Sequence, residues 1–235
     1  MAKFSFFMKK IFISGASRGI GLAIASIFYK AGFQTVICSR NAEKLAQAKA
    51  EMPDLHTFIC DMSHKESVKT LAFQLNQQFG ALDFLVNNVG MFEMGNIHQS
   101  SEELFEQMMQ TNFNSAYYLT KSVLPLMIAA KQGTIVHICS SSSLHFSEKM
   151  GVYAISKYAL LGFSKALREE MKAHNIRVIS ILPSSTKTDS WEGIDIPESR
   201  FIPAEEVAKV VFDACNMSER TVLEEIVIRP FLGDI

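Results

Sequence analysis

Short runs of consecutive apolar residues alternate with longer segments of helical periodicity along the chain. The runs are rich in Val, Ile, Leu and Phe and lack polar alternation, as expected for strands of a parallel sheet covered on both faces. Seven runs fit this description: KIFISG (10–15), TVICS (35–39), HTFICD (56–61), LDFLVNN (82–88), GTIVHICS (133–140), IRVISILP (176–183) and EEIVIRP (224–230). The pattern predicts an α/β fold, a doubly wound parallel sheet of about seven strands with helices on both faces.

The segments between the strands have helical spacing. Helices are predicted over about 19–31, from residue 41, over 65–79, over 101–130, and from the turn of Tyr153 to about residue 174. Asn41 can cap the second helix, and Ser100 or Ser101 can cap the long one. Pro125 predicts a bend or break in the long helix, because proline interrupts the helical hydrogen bonds. Without an evident linker or repeat, residues 1–235 are predicted to form a single domain, with 1–8 as a dispensable extension.

The composition excludes several classes of partner. Of the 235 residues, 48% are hydrophobic and 20% are charged, and the formal net charge is -1. Such a balance, with no run of like charges, leaves no electrostatic footprint for nucleic acid or an anionic membrane. No apolar stretch reaches the ~18 residues of a membrane span, and Arg18 interrupts the N-terminal apolar stretch that otherwise resembles a signal peptide. We therefore expect a cytoplasmic protein without nucleic-acid or membrane partners.

Metal and disulfide chemistry are also not expected. Four cysteines are widely separated and form no CxxC pair: Cys38, Cys60, Cys139 and Cys215. This spacing indicates small apolar residues in a reducing compartment. His98 and His145 do not have the spacing of metal ligands either, so the predicted metal content is none.

A glycine-rich segment, SGASRGIG (14–21), connects the first strand to the first helix. Gly15, Gly19 and Gly21 allow a close approach of the backbone, and the helix N-terminus beyond them favours an anion. Tight turns between strands and helices also use glycine, so the loop alone is weak evidence for nucleotide binding. Its position after the first strand of an alternating sheet favours the pyrophosphate of a dinucleotide.

The end of the second strand bears on the choice between NAD and NADP. An acidic residue there would bind the ribose hydroxyls and repel a 2′-phosphate. This chain has Ser39 and Arg40, with no carboxylate until Glu43, and Arg18 adds a second positive charge in the glycine loop. The alternative to a 2′-phosphate site is that both arginines are simply solvated at the tips of loops. Guanidinium groups form forked hydrogen bonds with phosphate, which favours NADP(H) over NAD(H).

Several short segments have the order and spacing of motifs found together in one enzyme family. They are SGASRGIG (14–21), CDMS (60–63), NNVG (87–90), TNF (111–113), GTIVHICSS (133–141), YAISK (153–157) and LPSSTKTD (182–189). On these motifs, nearly the whole chain resembles the short-chain dehydrogenase/reductase family, in the branch with a Gly-x-x-x-Gly-x-Gly loop. The resemblance implies a Rossmann-type fold and hydride transfer between a nicotinamide cofactor and a carbonyl or alcohol.

The resemblance also implies a catalytic set. Tyr153 would be the general acid, and Lys157, one helical turn away, would favour the ionised phenol and hold the nicotinamide ribose. In isolation such a pair is more often a surface pair. Ser140 would orient the substrate, with Ser141 as the alternative, and the backbone of Asn112 would help to hold a water for proton return.

The implied cofactor contacts follow from the same motifs. They are Gly15, Ser17, Arg18, Gly19, Ile20, Gly21, Ser39, Arg40, Asp61, Met62, Asn88, Gly90, Tyr153, Lys157, Pro183 and Thr188.

Two positions depart from the family pattern. Val89 replaces the usual alanine, which predicts tighter packing beside the motif. Ser184 replaces the glycine that normally follows the proline, so this loop must adopt a conformation open to a residue with a Cβ. The chain also ends without the glycine-rich tail of many relatives, so the tetramer contact made there is expected to be absent or altered.

A mainly apolar substrate cleft is one interpretation of three segments, and satellite core is the other. The residues concerned are Met91, Phe92, Met94, Leu144, His145, Phe146, Trp191, Ile194, Ile196 and Phe201. The favoured hypothesis is an NADPH-dependent reductase of ketones or aldehydes, a homodimer or homotetramer acting on a small-molecule carbonyl substrate. The alternatives are a mainly oxidative NAD(P)-dependent alcohol dehydrogenase and a non-catalytic NADP(H)-sensing protein.

Overall fold

A computed structural model describes residues 8–188, 191, 193 and 195–234. Residues 1–7 of the predicted extension and Ile194 of the predicted cleft lie outside this part of the chain. Seven strands are present: Lys10–Ser14 (β1), Gln34–Ser39 (β2), His56–Ile59 (β3), Phe84–Asn87 (β4), Gly133–Ile138 (β5), Ile176–Pro183 (β6) and Glu225–Ile228 (β7).

The strands form one parallel sheet in the order β3-β2-β1-β4-β5-β6-β7. The predicted doubly wound fold is therefore confirmed. The strand order reverses between β1 and β4, and ligands of such sheets bind outside the carboxyl ends of the strands at this point.

Within the described residues, seven α-helices flank the sheet: Gly19–Lys30 (α1), Ala42–Glu51 (α2), Lys65–Phe79 (α3), Glu102–Met109 (α4), Ser115–Ala130 (α5), Gly151–Met171 (α6) and Ala204–Cys215 (α7). Asn41 caps α2 by accepting from the Lys44 N–H at 2.9 Å. Of the two serines proposed as caps, Ser101 caps α4 by accepting from Leu104 N–H at 3.2 Å.

The long predicted helix is interrupted, but not at Pro125. A π-helical turn, Gln110–Asn114, separates α4 from α5, whereas α5 continues through Pro125 to Ala130. Val123 and Met127 are fully buried on either side of the proline. Of the bend or break predicted at Pro125, the break is therefore wrong, since the segment stays helical although the proline removes one backbone donor.

Alternate residues of the central strands face two separate cores. Ile11 and Ile13 of β1 join the core under α1, α2 and α7, while Phe12 joins the core under α3, α5 and α6. This arrangement explains why the strands are continuously apolar, since both faces are covered. Within the described residues, no helix has the length and apolar character needed to cross a membrane.

Candidate active site

A cavity of about 1780 Å³ opens at the carboxyl ends of the strands, above the switch between β1 and β4. Every cofactor-contact residue implied by the resemblance lines it: Gly15, Ser17, Arg18, Gly19, Ile20, Gly21, Ser39, Arg40, Asp61, Met62, Asn88, Gly90, Tyr153, Lys157, Pro183 and Thr188. Ser140 and Ser141 also line it. Asn112 lies behind the wall rather than at its surface.

Two glycines of the loop are packed so closely that the backbone leaves no space for a side chain. Gly15 has a φ of 64°, and a Cβ placed on it would come within 2.8 Å of Val89 Cγ2. A Cβ on Gly21 would lie 2.5 Å from Asn88 Nδ2. That amide donates to the carbonyls of Ser14 and Gly15, both at 3.0 Å, and so fixes the loop. Such a bare, fixed loop fits the close approach of a dinucleotide pyrophosphate.

The departure at Val89 has the consequence predicted for it. A Cβ on Gly15 would lie 2.8 Å from a Val89 methyl group and 3.2 Å from the Val89 Cα, and alanine would lack only the first of these contacts. The packing next to the glycine loop is therefore tight enough to exclude any side chain at Gly15.

The end of the cavity that is lined by Arg18 and Arg40 is organised by hydrogen bonds to Ser39. Ser17 Oγ donates to Ser39 Oγ at 2.8 Å, and Asn41 N–H donates to the same oxygen at 3.2 Å. These bonds hold the glycine loop beside the end of β2. Hydrogen bonds from Ser63 lower the pKa of Asp61, and the positive charge of Arg40 contributes in the same direction. Asp61 is thus kept as a carboxylate near enough to Arg40 to be affected by its charge.

Tyr153 and Lys157 occupy the first turns of α6, facing the cavity beside β5. Lys157 is only 4% exposed, and its Nζ donates to the Ile138 carbonyl at 3.0 Å. The same Nζ lies 5.9 Å from the centre of the Tyr153 ring. A Cβ on Gly90 would lie 3.3 Å from Nζ, so a larger residue there would crowd the lysine. The ammonium is therefore held in one place close to the phenol.

The serine run after β5 is built as a turn with Ser140 at its start. Ser140 Oγ accepts from Ser142 N–H at 3.1 Å, and Ser143 Oγ accepts from Ser140 N–H at 3.2 Å. These reciprocal bonds form a capping box on the short 3₁₀ turn Ser141–Ser143. The hydroxyl of Ser140 is positioned by this bond and keeps its own hydrogen available to donate.

Asn112 is fully buried within the π-helical turn. Its amide accepts from Met91 N–H at 2.7 Å, and donates to Met91 O at 3.0 Å and to Ser156 Oγ at 2.9 Å. Ser156 in turn donates to the Tyr153 carbonyl at 2.7 Å. The side chain of Asn112 therefore ties the segment after β4 to the helix that carries Tyr153.

The loop after β6 is tied to the segment that follows β7, which sequence reasoning missed. Ser184, at the departure from the family pattern, donates its backbone N–H to Ile228 O at 2.9 Å and its hydroxyl to the Asp234 carboxylate. Asp234 also forms an ion pair with Arg229. Arg229 and Asp234 both line the cavity. The chain turns between Pro230 and Gly233, whose N–H donates to the Pro230 carbonyl at 2.9 Å, and this turn returns Asp234 to Ser184.

The predicted apolar cleft is only partly assembled. Met91, Phe92, His145, Phe146 and Trp191 line the cavity. The remaining described members do not line it: Met94, Leu144, Ile196 and Phe201. Phe201 is buried behind Trp191, and Met94 is half exposed. These four therefore do not support the cleft interpretation, and the buried Phe201 fits the satellite-core alternative, since chain proximity to a motif does not fix side-chain direction in a loop.

The four thiols are all buried and unbridged. Burial raises the pKa of Cys38, of Cys139 and of Cys215 to about 12 and that of Cys60 to about 11. They remain neutral at physiological pH and contribute packing, although Cys139 immediately precedes Ser140.

Comparison with known proteins places the chain among oxidoreductases. The short chain dehydrogenase family model matches residues 9–198. Sepiapterin reductase of Chlorobaculum tepidum is 31% identical over 237 residues, covering 96% of this chain and 97% of its own. The 3-oxoacyl-(acyl-carrier-protein) reductase of Chlamydia muridarum is 31% identical over 226 residues, covering 89% and 91%.

A solved structure gives the same result. The crystal structure of a metagenomic short-chain oxidoreductase in complex with NADP is 28% identical, has a TM-score of 0.84 and covers 96% of this chain and 98% of its own. A doubly wound sheet with a glycine loop after its first strand is the architecture of oxidoreductases that use nicotinamide cofactors. The chain belongs to the short-chain dehydrogenase family.

Proposed function

We propose that this protein is an NADPH-dependent reductase that converts a ketone or aldehyde into an alcohol. The observation that carries the proposal is the location of Tyr153 and the buried Lys157 in the same cavity as the bare glycine loop. A proton donor is needed there because a carbonyl that accepts a hydride on carbon develops negative charge on oxygen.

The preference for NADP(H) rests on charge. Arg18 and Arg40 line the cavity next to Ser39, where an acidic residue would repel a 2′-phosphate. A relative is solved in complex with NADP, which supports the same choice.

The residues of the chain divide the proposed reaction among them. The bound nicotinamide supplies the hydride. Ser140 holds the substrate oxygen, and Tyr153 donates its hydroxyl proton to that oxygen. Lys157, fixed by its bond to Ile138 O, stabilises the phenolate that remains, and Asn112 holds the segments around this pair in register.

The proposal is tested by loss of NADPH absorbance with a panel of ketones and aldehydes. Turnover is expected with NADPH, reduced turnover with NADH, and none in Tyr153→Phe, while fluorescence titration of the variant still shows NADPH binding. Failure to reduce any carbonyl on a broad panel, with NADPH still bound, would contradict the proposal and favour a cofactor-sensing role.

We further propose that the chain forms one catalytic domain and that this domain self-associates. Val227, Phe231 and Leu232 are exposed at or just after the edge strand β7. Apolar side chains beside an open strand edge favour contact with another chain. A homodimer or homotetramer is expected in size-exclusion chromatography with light scattering, and a monomer at micromolar concentration would contradict it.

A further inference from the structure

Four aromatic rings touch in sequence from the proposed proton donor outward, and we call Tyr153, Phe92, Trp191 and Phe201 the aromatic wall. The edge of one ring meets the face of the other between Tyr153 and Phe92, with centroids 5.0 Å apart and an interplanar angle of 89°. The rings of Phe92 and Trp191 are nearly parallel, with an interplanar angle of 25° and centroids 6.2 Å apart. Trp191 then meets Phe201 at 5.1 Å and 65°. The wall thus begins at the ring whose hydroxyl would protonate the substrate.

The far end of the aromatic wall is anchored in the core. Phe201 is 7% exposed, and Lys187 Nζ lies 5.2 Å from its ring centre. The backbone beside it is paired, with Ile202 N–H donating to Ser185 O and Lys187 N–H to Ile202 O, both at 2.9 Å. Trp191 therefore rests on a fixed ring.

The middle of the aromatic wall faces the cavity. Phe92 and Trp191 both line it and are only partly buried. Arg229 and Asp234 line the same cavity, but their charges are paired with each other. Phe92 and Trp191 therefore present aromatic ring surface to the cavity in which Tyr153 also lies.

Aromatic rings distinguish a flat aromatic ligand from a saturated one of equal size. Edge-to-face and offset contacts between aromatic rings stabilise beyond the burial of area, whereas a saturated ring gains from burial alone. Resting on the proposed function, we propose that the preferred substrates are ketones that carry an aromatic ring a few bonds from the carbonyl. Because the wall starts at Tyr153 itself, the ring and the carbonyl oxygen can be engaged together.

Two ketones with the same carbon skeleton test the proposal. In 4-phenylbutan-2-one and 4-cyclohexylbutan-2-one the ring is not conjugated to the carbonyl, so the two carbonyls are equally reactive. The cyclohexyl compound is the more hydrophobic, and simple burial would favour it. The aromatic wall predicts the reverse, a kcat/KM for the phenyl ketone higher by about 2- to 12-fold.

Leucine variants locate the effect. Phe92→Leu and Trp191→Leu keep apolar bulk but remove the ring faces, and each is expected to bring the ratio of the two kcat/KM values close to one. Met94→Leu is the control, since Met94 follows the same strand but lies outside the cavity. It should keep the wild-type ratio.

A binding measurement separates this inference from the proposed function. Trp191 is the only tryptophan of the chain, so its emission reports on the aromatic wall. With NADP⁺ present, 4-phenylbutan-2-ol should change the emission saturably and at lower concentration than 4-cyclohexylbutan-2-ol. If neither ketone is reduced but this difference holds, the function is wrong and the aromatic preference stands.

Two results would overturn the inference while leaving the reductase function intact. One is reduction of both ketones with the cyclohexyl compound equal or better. The other is a phenyl preference that Phe92→Leu and Trp191→Leu both leave unchanged.

Discussion

The two ends of the cavity are built from different parts of the chain. At the glycine loop the backbone sets the shape of the surface, with Gly15 and Gly21 closely packed and the loop fixed by hydrogen bonds from Asn88. At the aromatic wall the surface is side chain, contributed by Phe92 and Trp191 from separate loops. Backbone geometry tolerates few residue types, whereas ring surfaces can be exchanged without moving the scaffold. The first end therefore suits an invariant cofactor, and the second suits a choice of substrate.

The largest effect is expected where the two ends meet. Tyr153→Phe removes the proposed proton donor but keeps the ring that Phe92 contacts. We expect kcat to fall by about 10²- to 10⁴-fold, since that is the usual contribution of a positioned acid, with NADPH affinity unchanged. Steady-state kinetics and fluorescence titration measure the two quantities.

Tyr158→Phe is the matched control for this variant. Tyr158 lies five residues after Tyr153 on the same helix, and its ring stacks on that of Phe146 with centroids 4.6 Å apart. Its hydroxyl has no proposed role. Equal losses in both variants would show that the effect is structural and not chemical.

A change in the backbone should damage the cofactor end selectively. Gly15→Ala places a Cβ at positive φ and against Val89, and such strain costs about 1–3 kcal/mol. Weaker NADPH binding and a lower free energy of unfolding are expected, measured by titration and urea denaturation. Gly32→Ala also has positive φ, 82°, but nothing within 4 Å, and controls for strain alone.

Removing the crowding group tests the cause. Val89→Ala removes the methyl contact beside Gly15 but keeps the backbone contact at 3.2 Å, so the added Gly15→Ala should cost less than it does in the wild-type chain. An undiminished cost would mean that the contact with Val89 is not what excludes a side chain there.

Low pH should destabilise the glycine-loop end and the aromatic-wall end of the cavity together, because one buried pair of side chains, Asn87 and His137, lies behind both. His137 Nδ1 lies 3.3 Å from Asn87 Nδ2, and these residues directly precede Ile138, the acceptor of Lys157, and Asn88. Burial lowers the pKa of His137 to about 3. The unfolded chain therefore binds the proton more readily, so this stabilisation is complete above a pH of about 6.5 and is lost as the pH falls toward 3.

The expected loss between about pH 7.5 and pH 5 is about 2 kcal/mol of unfolding free energy. Urea unfolding followed by Trp191 emission and by NADPH binding should shift equally at the two pH values. His137→Gln, which cannot titrate, should have a smaller pH dependence. An equal pH dependence in the variant would assign it to other groups.

The cofactor choice tests the charge at the far end of the cavity. Arg40→Ala should reduce the preference for NADPH over NADH by about 10-fold, since hydrogen bonds to charged groups contribute about 1.5–3 kcal/mol. The ratio of the two dissociation constants is the measurement. Lys49→Ala, on the exposed side of α2, should leave the ratio unchanged. An unaltered ratio in Arg40→Ala would remove this residue from the 2′-phosphate site.

The smallest effect concerns the tie between the loop after β6 and Asp234. Ser184→Ala and Asp234→Asn each break an exposed interaction, and kcat/KM should fall by about 2- to 5-fold, as expected for surface pairs. The double variant should lose no more than the larger single loss, because both remove one contact. Fully additive losses would show that the two residues act separately.

The fold was readable because its causes are local and repeated. Each strand is an apolar run and each connection a helical one, so the seven-stranded sheet follows from pattern alone. Glycines at Gly15 and Gly21 are readable for the same reason, since a bare backbone leaves a mark in the residue type. The break predicted at Pro125 does not occur, because local preference alone does not include tertiary packing such as the burial of Val123 and Met127 on either side.

Sequence by itself determined the sheet, the glycine loop and the spacing of Tyr153 and Lys157, since each depends on neighbours along the chain. Only the tertiary structure decided which loop side chains face the cavity and that Asp234 returns to Ser184. Contacts between residues fifty positions apart depend on how turns direct the chain, and no short pattern encodes that direction.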